Sequence, residues 1–178
     1  MKKSNLFKYF TLIFLLTIAV TGCTSRGSVD LKTSESDINP KDTPEGLAKA
    51  VYAGGCFWGV EYYFEKLDGV FDAVSGYTGG TTENPTYREV LSHTTDHVEA
   101  VEITYDPTVI SYEELTKYFF EIHDPTQANG QGPDIGNQYL SVVFYQNSQE
   151  KASVEKLIGI LEQEGYDIAT SVSPSAIF

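Results

Sequence analysis

The sequence predicts one α/β sandwich, a sheet with helices packed against it. Stretches with strand character alternate with stretches of helical spacing from about residue 47 to the end, each bounded by a turn or cap signal. Of the 178 residues, 41% are hydrophobic and 13% aromatic, enough for one ordinary core plus appendages. No internal repeat interrupts this order, so an array of repeats is not expected.

Two segments of different character precede the domain. Met1-Lys2-Lys3 gives a positive start, and Leu6 to Val20 is apolar but short and wrongly flanked for a membrane span. Val20-Thr21-Gly22-Cys23 then resembles the lipobox of bacterial lipoproteins, where cleavage before the cysteine is coupled to its lipidation. Residues 1–22 are therefore expected to be a signal peptide. Cys23 is expected to carry the lipid that anchors the protein to a bacterial membrane, extracytoplasmic in the cell envelope. An ordinary secretory signal or an uncleaved anchor is the alternative. Residues 23–46 are rich in Ser, Asp and Pro and nearly free of apolar side chains. They bury too little to offset the entropy of ordering, so they read as a flexible tether. About 20 such residues reach roughly 25 Å.

Residues 47–178 form the predicted domain. Val51-Tyr52-Ala53 is a short strand run that meets two glycines and then a helix, with Val60, Tyr63, Phe64 and Leu67 on its apolar face. Asp68-Gly69 stops it. Val70 to Tyr77 reads as a strand closed by Thr78-Gly79-Gly80, and Asn84-Pro85-Thr86 precedes a short helix, Tyr87 to Leu91. His97 to Tyr105 alternates cleanly and is the best strand, ended by Asp106-Pro107. Ser111 with Glu114 makes a capping box for a helix to about Ile122. Asp124 to Asn137 is a long loop with two prolines and three glycines, a length that usually signals function. A strand over Gln138 to Tyr145, a helix capped by Ser148 and running to about Glu164, and a last strand over Asp167 to Ser173 complete the domain.

Charge narrows the partners. The net charge is −13, and residues 1–22 carry three lysines and no acid, so the remainder is more acidic still. Such a chain repels phosphate backbones and anionic headgroups, which argues against nucleic acid as a partner.

Chemistry concentrates at Val51-Tyr52-Ala53-Gly54-Gly55-Cys56-Phe57-Trp58-Gly59-Val60. A strand, a tight turn and a helix would set Cys56 in the helix's first turn, where free N–H groups and the macrodipole favour the thiolate, the nucleophilic form. The glycines leave the sulfur open, and Phe57 and Trp58 suit a small, soft, weakly polar group better than a charged one. The bland alternative is a small buried cysteine. If Cys23 is lipidated, Cys56 is the one free thiol of the mature chain.

A thiolate that attacks a group whose oxygen must depart needs an acid, because the oxygen leaves only once protonated. Glu99, between Val98 and Ala100 on the best strand, would be kept neutral if its face is buried. Tyr87 and Tyr139 offer hydroxyls for the oxygen, and Asp134 in the long loop could support them. Taken singly these are weak choices: a strand Glu is more often exposed, the chain has twelve tyrosines, and loop aspartates often bond their own turn. His93, His97 and His123 do not make a convincing metal set, since no second cysteine joins them and His93 and His97 straddle a loop. Phosphate and dinucleotide glycine fingerprints are absent.

The pentapeptide Gly55-Cys56-Phe57-Trp58-Gly59 resembles the active-site motif of the A-type peptide-methionine sulfoxide reductases, the peptide-methionine (S)-S-oxide reductases. The likeness extends from about Ala50 to Phe178, through Asn84-Pro85-Thr86-Tyr87, Glu99 ahead of Tyr105-Asp106-Pro107, and Gly132-Pro133-Asp134-Ile135-Gly136 leading to Tyr139. It implies a ferredoxin-like, split-βαβ core with a mixed sheet. It also implies Cys56 as nucleophile, Glu99 as acid, Tyr87 and Tyr139 as oxygen-binding groups, and Phe57 and Trp58 as the pocket for the methyl on sulfur.

The expected reaction reduces methionine sulfoxide, free or in oxidised proteins and peptides, through a Cys56 sulfenic acid. No bound cofactor is expected. Many family members resolve the intermediate with a second cysteine near the C-terminus, which this chain lacks, so recycling is expected to use an external dithiol or a thioredoxin-like protein. The chain stops at Ala176-Ile177-Phe178, short of the family's usual C-terminal segment, so that segment is expected to be missing. A single copy is expected to act alone. Two rivals stand beside this reading. A cysteine hydrolase would need a histidine base held by Asn or Asp, and a non-catalytic surface lipoprotein would bind oxidised peptide without turnover.

Overall fold

The computed structural model describes residues 45–178, so the expected signal peptide, the expected lipidation at Cys23 and nearly all of the expected tether lie outside the described residues. Within them the chain runs β1 (Ala48–Gly54), α1 (Phe57–Phe64), β2 (Val70–Thr78), α2 (Tyr87–Leu91), β3 (Val98–Tyr105) and α3 (Tyr112–Ile122). A two-residue pair, β4 (Gly130–Gln131) and β5 (Asp134–Ile135), a 3-10 turn (Asn137–Tyr139), β6 (Ser141–Tyr145), α4 (Ser148–Gln163) and β7 (Ser171–Pro174) follow.

The main sheet has the order β2-β3-β1-β6-β7. Both β1 and β2 pair antiparallel with β3, so they are parallel to each other with β3 inserted between them. That is a split βαβ unit, with α1 as its crossover. A second one interlocks with it: β3 and β6 both run antiparallel to β1 and are joined through α3. β7 then adds parallel to β6 at the edge, through α4. The mixed sheet and ferredoxin-like core implied by the resemblance are therefore what the chain adopts.

Alternation along the strands divides the core. Ala50 and Tyr52 of β1, Val101 and Ile103 of β3 and Val143 of β6 face the helices, packing with Phe57, Val60, Phe64, Leu115, Phe119 and Val154. Val51, Ala53, Val98, Ala100, Val142 and Phe144 form a second cluster on the opposite face. Tyr52 anchors the helix side. Its ring stacks on Phe64 at 5.3 Å and on Phe119 at 5.0 Å, and its hydroxyl lies 2.9 Å from Thr116 Oγ1. Since the Thr116 hydroxyl donates to the Tyr112 carbonyl, Tyr52 is the donor of that pair.

Four local readings need correction. The buried side of α1 is Phe57, Val60 and Phe64, whereas Tyr63 is exposed and Leu67 lies in the turn after the helix. The strand expected from Gln138 starts at Ser141, because Tyr139 and Leu140 give their amides to Gly136 and Asn137 in the 3-10 turn and withhold them from a ladder. α4 is capped by Asn147, not Ser148: the Asn147 side chain accepts from the amides of Gln149 and Glu150. The last strand begins at Ser171, four residues later than expected, because Ala169 donates its amide to Pro125 on the long loop.

Candidate active site

The C-terminal ends of β1 and β2 and the N-terminal ends of β3 and β6 meet at one edge of the sheet. Gly54 lies opposite Ser141, and Tyr77 opposite Glu99. At this edge β1 must turn directly into α1. Gly55 makes the turn at φ +93°, where a side chain is strained, and a Cβ there would sit 2.6 Å from Gln131 Cβ on the long loop. Cys56 is the N-cap of α1 and is half-buried, and its sulfur makes no capping hydrogen bond.

The first amides of a helix have no partner inside it. Here the Phe57 N–H finds one across the sheet, donating to Glu99 Oε2 at 3.1 Å. Glu99 points to the helix side of β3, as Val101 and Ile103 do, and is only 2% exposed. Burial raises its pKa above the ordinary carboxyl value, the Phe57 amide pulls the other way, and the charge of Asp134 adds to the rise. With Oε2 occupied as an acceptor, Oε1 is the oxygen free to carry a proton. Glu99, expected from sequence to be the acid, thus lies against Phe57, the residue that follows Cys56.

Phe57 is buried. Its ring lies 6.1 Å from that of Trp58 and 5.7 Å from that of Tyr77. Trp58 is 67% exposed and therefore open to a ligand. Tyr87 opens α2, which is held by the Thr86–Glu89 capping box, and is 50% exposed. Tyr139 ends the 3-10 turn and is half-buried. Burial raises its pKa, the charge of Glu99 raises it next, and Tyr87 and Asp134 add to the rise, while Gln138 works against it. Tyr139 therefore lies within electrostatic reach of Glu99, Tyr87 and Asp134. Of the residues named from sequence, the structure thus sets Phe57 against Glu99 and Trp58, and Tyr139 near Glu99, Tyr87 and Asp134.

The long loop is shaped by its own side chains. Gln131 bonds Asp124 at both ends of its amide, Gln127 accepts from the Gly132 N–H, and Gly136 donates to the Asn129 carbonyl. These ties press Gln131 onto Gly55 and set Asp134 on the short β5 strand. Sequence reading missed Gln131 and Tyr77. Tyr77 carried a signal only in hindsight: it shares a face with Glu99 once β2 and β3 are in register.

The imidazoles of two histidines are committed elsewhere. His97 accepts from the Gly80 amide at Nδ1 and reaches the Thr82 carbonyl through Nε2. His123 Nδ1 meets the Phe119 carbonyl at 2.6 Å, so it donates there, and Nε2 accepts from the Ser141 hydroxyl at 2.7 Å. Neither is placed as a free base for Cys56, as a cysteine hydrolase would require.

The family model described as peptide methionine sulfoxide reductase matches residues 48–178. A peptide methionine sulfoxide reductase MsrA of Nautilia profundicola is 48% identical over 132 residues, covering 74% of this chain and 76% of that protein. Among solved structures, Mxr1 of Saccharomyces cerevisiae in reduced form superposes with a TM-score of 0.69 at 36% identity, over 74% of this chain and 77% of that one. Mxr1 in complex with Trx2 gives a TM-score of 0.54 at 29% identity, over 74% and 78%. With its fold and its Cys56–Glu99 edge already in place, the chain belongs to the peptide methionine sulfoxide reductase (MsrA) family.

Proposed function

We propose that the chain is a thiol-dependent reductase of methionine S-sulfoxide, free or in proteins, with Cys56 as its nucleophile. The Cys56 sulfur attacks the sulfoxide sulfur while Glu99 gives its proton to the sulfoxide oxygen. The oxygen then moves to the Cys56 sulfur as the substrate S–O bond and the new S–S bond break, and methionine leaves as the thioether. The substrate sulfur gains two electrons and the Cys56 sulfur loses two, ending as sulfenic acid. Tyr87 and Tyr139 donate to the oxygen as its charge builds, with Asp134 supporting them, while Phe57 and Trp58 receive the methyl.

One observation carries this reading: the Phe57 N–H holds a buried carboxyl of raised pKa beside Cys56. Two external thiols complete the cycle. The first condenses with the sulfenic acid, releasing water and leaving a mixed disulfide, and the second displaces Cys56. A thioredoxin-like protein fits the second-substrate role, supported by a yeast relative solved with Trx2; a small dithiol would serve the same chemistry. The lipobox-like Val20–Cys23 supports a lipid anchor in the bacterial cell envelope, with one copy of the domain on its tether. Intact mass of the mature protein tests the anchor.

The activity is tested by mixing the protein with a peptide containing one resolved methionine sulfoxide epimer and excess dithiol. Methionine should form from the S epimer and not after Cys56→Ser. No product, or undiminished product from the serine variant, removes the mechanism.

A further inference from the structure

Glu99 lies on the middle of three adjacent strands, and its two sides are protected unequally. On the β1 side the ladder ends at Tyr52–Val101, and the strand finishes in Gly54, which brings no side chain to the carboxyl. On the β2 side Tyr77 is the direct cross-strand partner of Glu99 and projects to the same face. Its ring leans on Phe57 at 5.7 Å and 39°, and Phe57 is the residue whose amide holds Glu99. Tyr77 also lines a cavity of about 380 Å³ shared with Gly80, Glu83, His97 and Phe178. One side of this residue thus borders open space and the other borders Phe57 and Glu99.

We propose that Tyr77 is a positioning residue for the acid, its ring forming the partition that keeps water off the Glu99 carboxyl and braces Phe57 against it. The ring does this, not the hydroxyl. Burial raises the Tyr77 pKa first, and the charge of Glu99 raises it further, so the phenol stays neutral and brings no charge of its own. Burial is also the largest cause of the raised Glu99 pKa, so a group that excludes water is what the acid depends on. The consequence for turnover rests on Glu99 acting as the acid; the partition itself does not.

The test reads Glu99 directly. The full chain is labelled with 13Cδ-glutamate, and Glu99→Gln assigns the resonance by its disappearance. Tyr77→Ser should move the Glu99 titration toward the ordinary carboxyl range, Tyr77→Val by less, and Tyr77→Phe little. In the same variants the high-pH limb of kcat/KM should move to lower pH in the same order. A limb that moves down by one pH unit lowers the rate above it about tenfold. An unchanged titration in folded Tyr77→Ser or Tyr77→Val, or a shift in Tyr77→Phe as large as in Tyr77→Ser, overturns the proposal. If the resonance moves while the rate limb stays, the partition stands and the acid role of Glu99 falls.

Discussion

The Phe57 amide and the Glu99 carboxyl, 42 residues apart in sequence, are joined by a 3.1 Å hydrogen bond that ties the first turn of α1 to the N-terminal end of β3. Glu99 thereby does for an orphan helix amide what a capping side chain would do. The bond favours the ionised carboxylate and burial favours the neutral acid, and burial is the larger influence. A single group is therefore held next to Cys56 through one oxygen, while burial favours the neutral form at the other.

Replacing that acid should cost activity without costing the fold. Glu99→Gln keeps an acceptor for the Phe57 amide and loses the proton, and general-acid contributions of this kind are worth about 10²- to 10⁴-fold in rate. The raised folded-state pKa also fixes a sign for stability. The folded chain binds this proton more tightly than the unfolded chain, so the contribution is present below the unfolded value and is lost as pH rises through the folded one. Glu99→Gln should therefore gain stability relative to wild type at pH 8 and show little gain at pH 4. Denaturant titrations at the two pH values check this, and an equal difference at both would contradict it.

Phe57 and Trp58 are neighbours with different structural standing. Phe57 is buried in the helix-side core, whereas Trp58 is 67% exposed. Truncating a buried aromatic costs about 3–5 kcal/mol. Phe57→Ala should accordingly lower both the unfolding midpoint and the activity. Trp58→Ala should leave the midpoint near wild type and reduce kcat/KM for the sulfoxide alone. Calorimetry beside steady-state kinetics separates the two, and a large midpoint loss in Trp58→Ala would show that its ring serves packing.

Gly55 and Gly59 flank the same motif yet answer to different constraints. At Gly55 the backbone is at φ +93° and a Cβ would press on Gln131; at Gly59, inside α1, nothing lies within 4 Å. Gly55→Ala should destabilise the protein and displace the long loop that carries Asp134. Gly59→Ala should stabilise α1 by up to about 1 kcal/mol, the helix-propensity gain of alanine over glycine. Chemical denaturation of the two variants reads this directly, and equal effects would refute it.

Residue type and local spacing made part of the molecule legible. The capping box at Ser111 and Glu114 fixed the start of α3, because both partners are three residues apart. Cys56, Glu99, Tyr87 and Tyr139 could be named from motif and burial pattern. That Glu99 would accept from Phe57, or stand beside Tyr77, could not, because register between β2 and β3 is settled by tertiary packing. The late start of β6 was hidden for a related reason: the apolar alternation continues through residues whose amides the 3-10 turn has already taken. At α4, Asn147 and Ser148 are both good caps, and only the backbone shows which one stands outside the helix. Asn147→Ala should cost about 1 kcal/mol, the usual worth of an N-cap, and Ser148→Ala well under half of that. Matched unfolding curves decide it, and the reverse order would restore Ser148 as the cap.

His123 should give the domain a stability that declines on acidification. It lies at the C-cap of α3, against Gly54 of β1, and passes a hydrogen-bond chain through Ser141 of β6 to Thr170, 2.8 Å from Ser141. Burial lowers its pKa below the ordinary imidazole value, while the Phe119 carbonyl and the charge of Asp124 pull it back only in part. The unfolded chain therefore takes up this proton first. Stability is present above about pH 6.5, the unfolded value, and is lost as pH falls toward the folded one. Because the same chain underlies the strand end that leads into Gly55 and Cys56, the first region to loosen should be the edge that holds the site. Hydrogen exchange of the Gly54–Phe57 amides at pH 7.5 and 5.5 should show extra opening at the lower pH, after correction for intrinsic rates. His123→Gln should be less stable at neutral pH but should lose that pH-dependent difference. An identical difference in wild type and variant would assign the acid sensitivity to other groups.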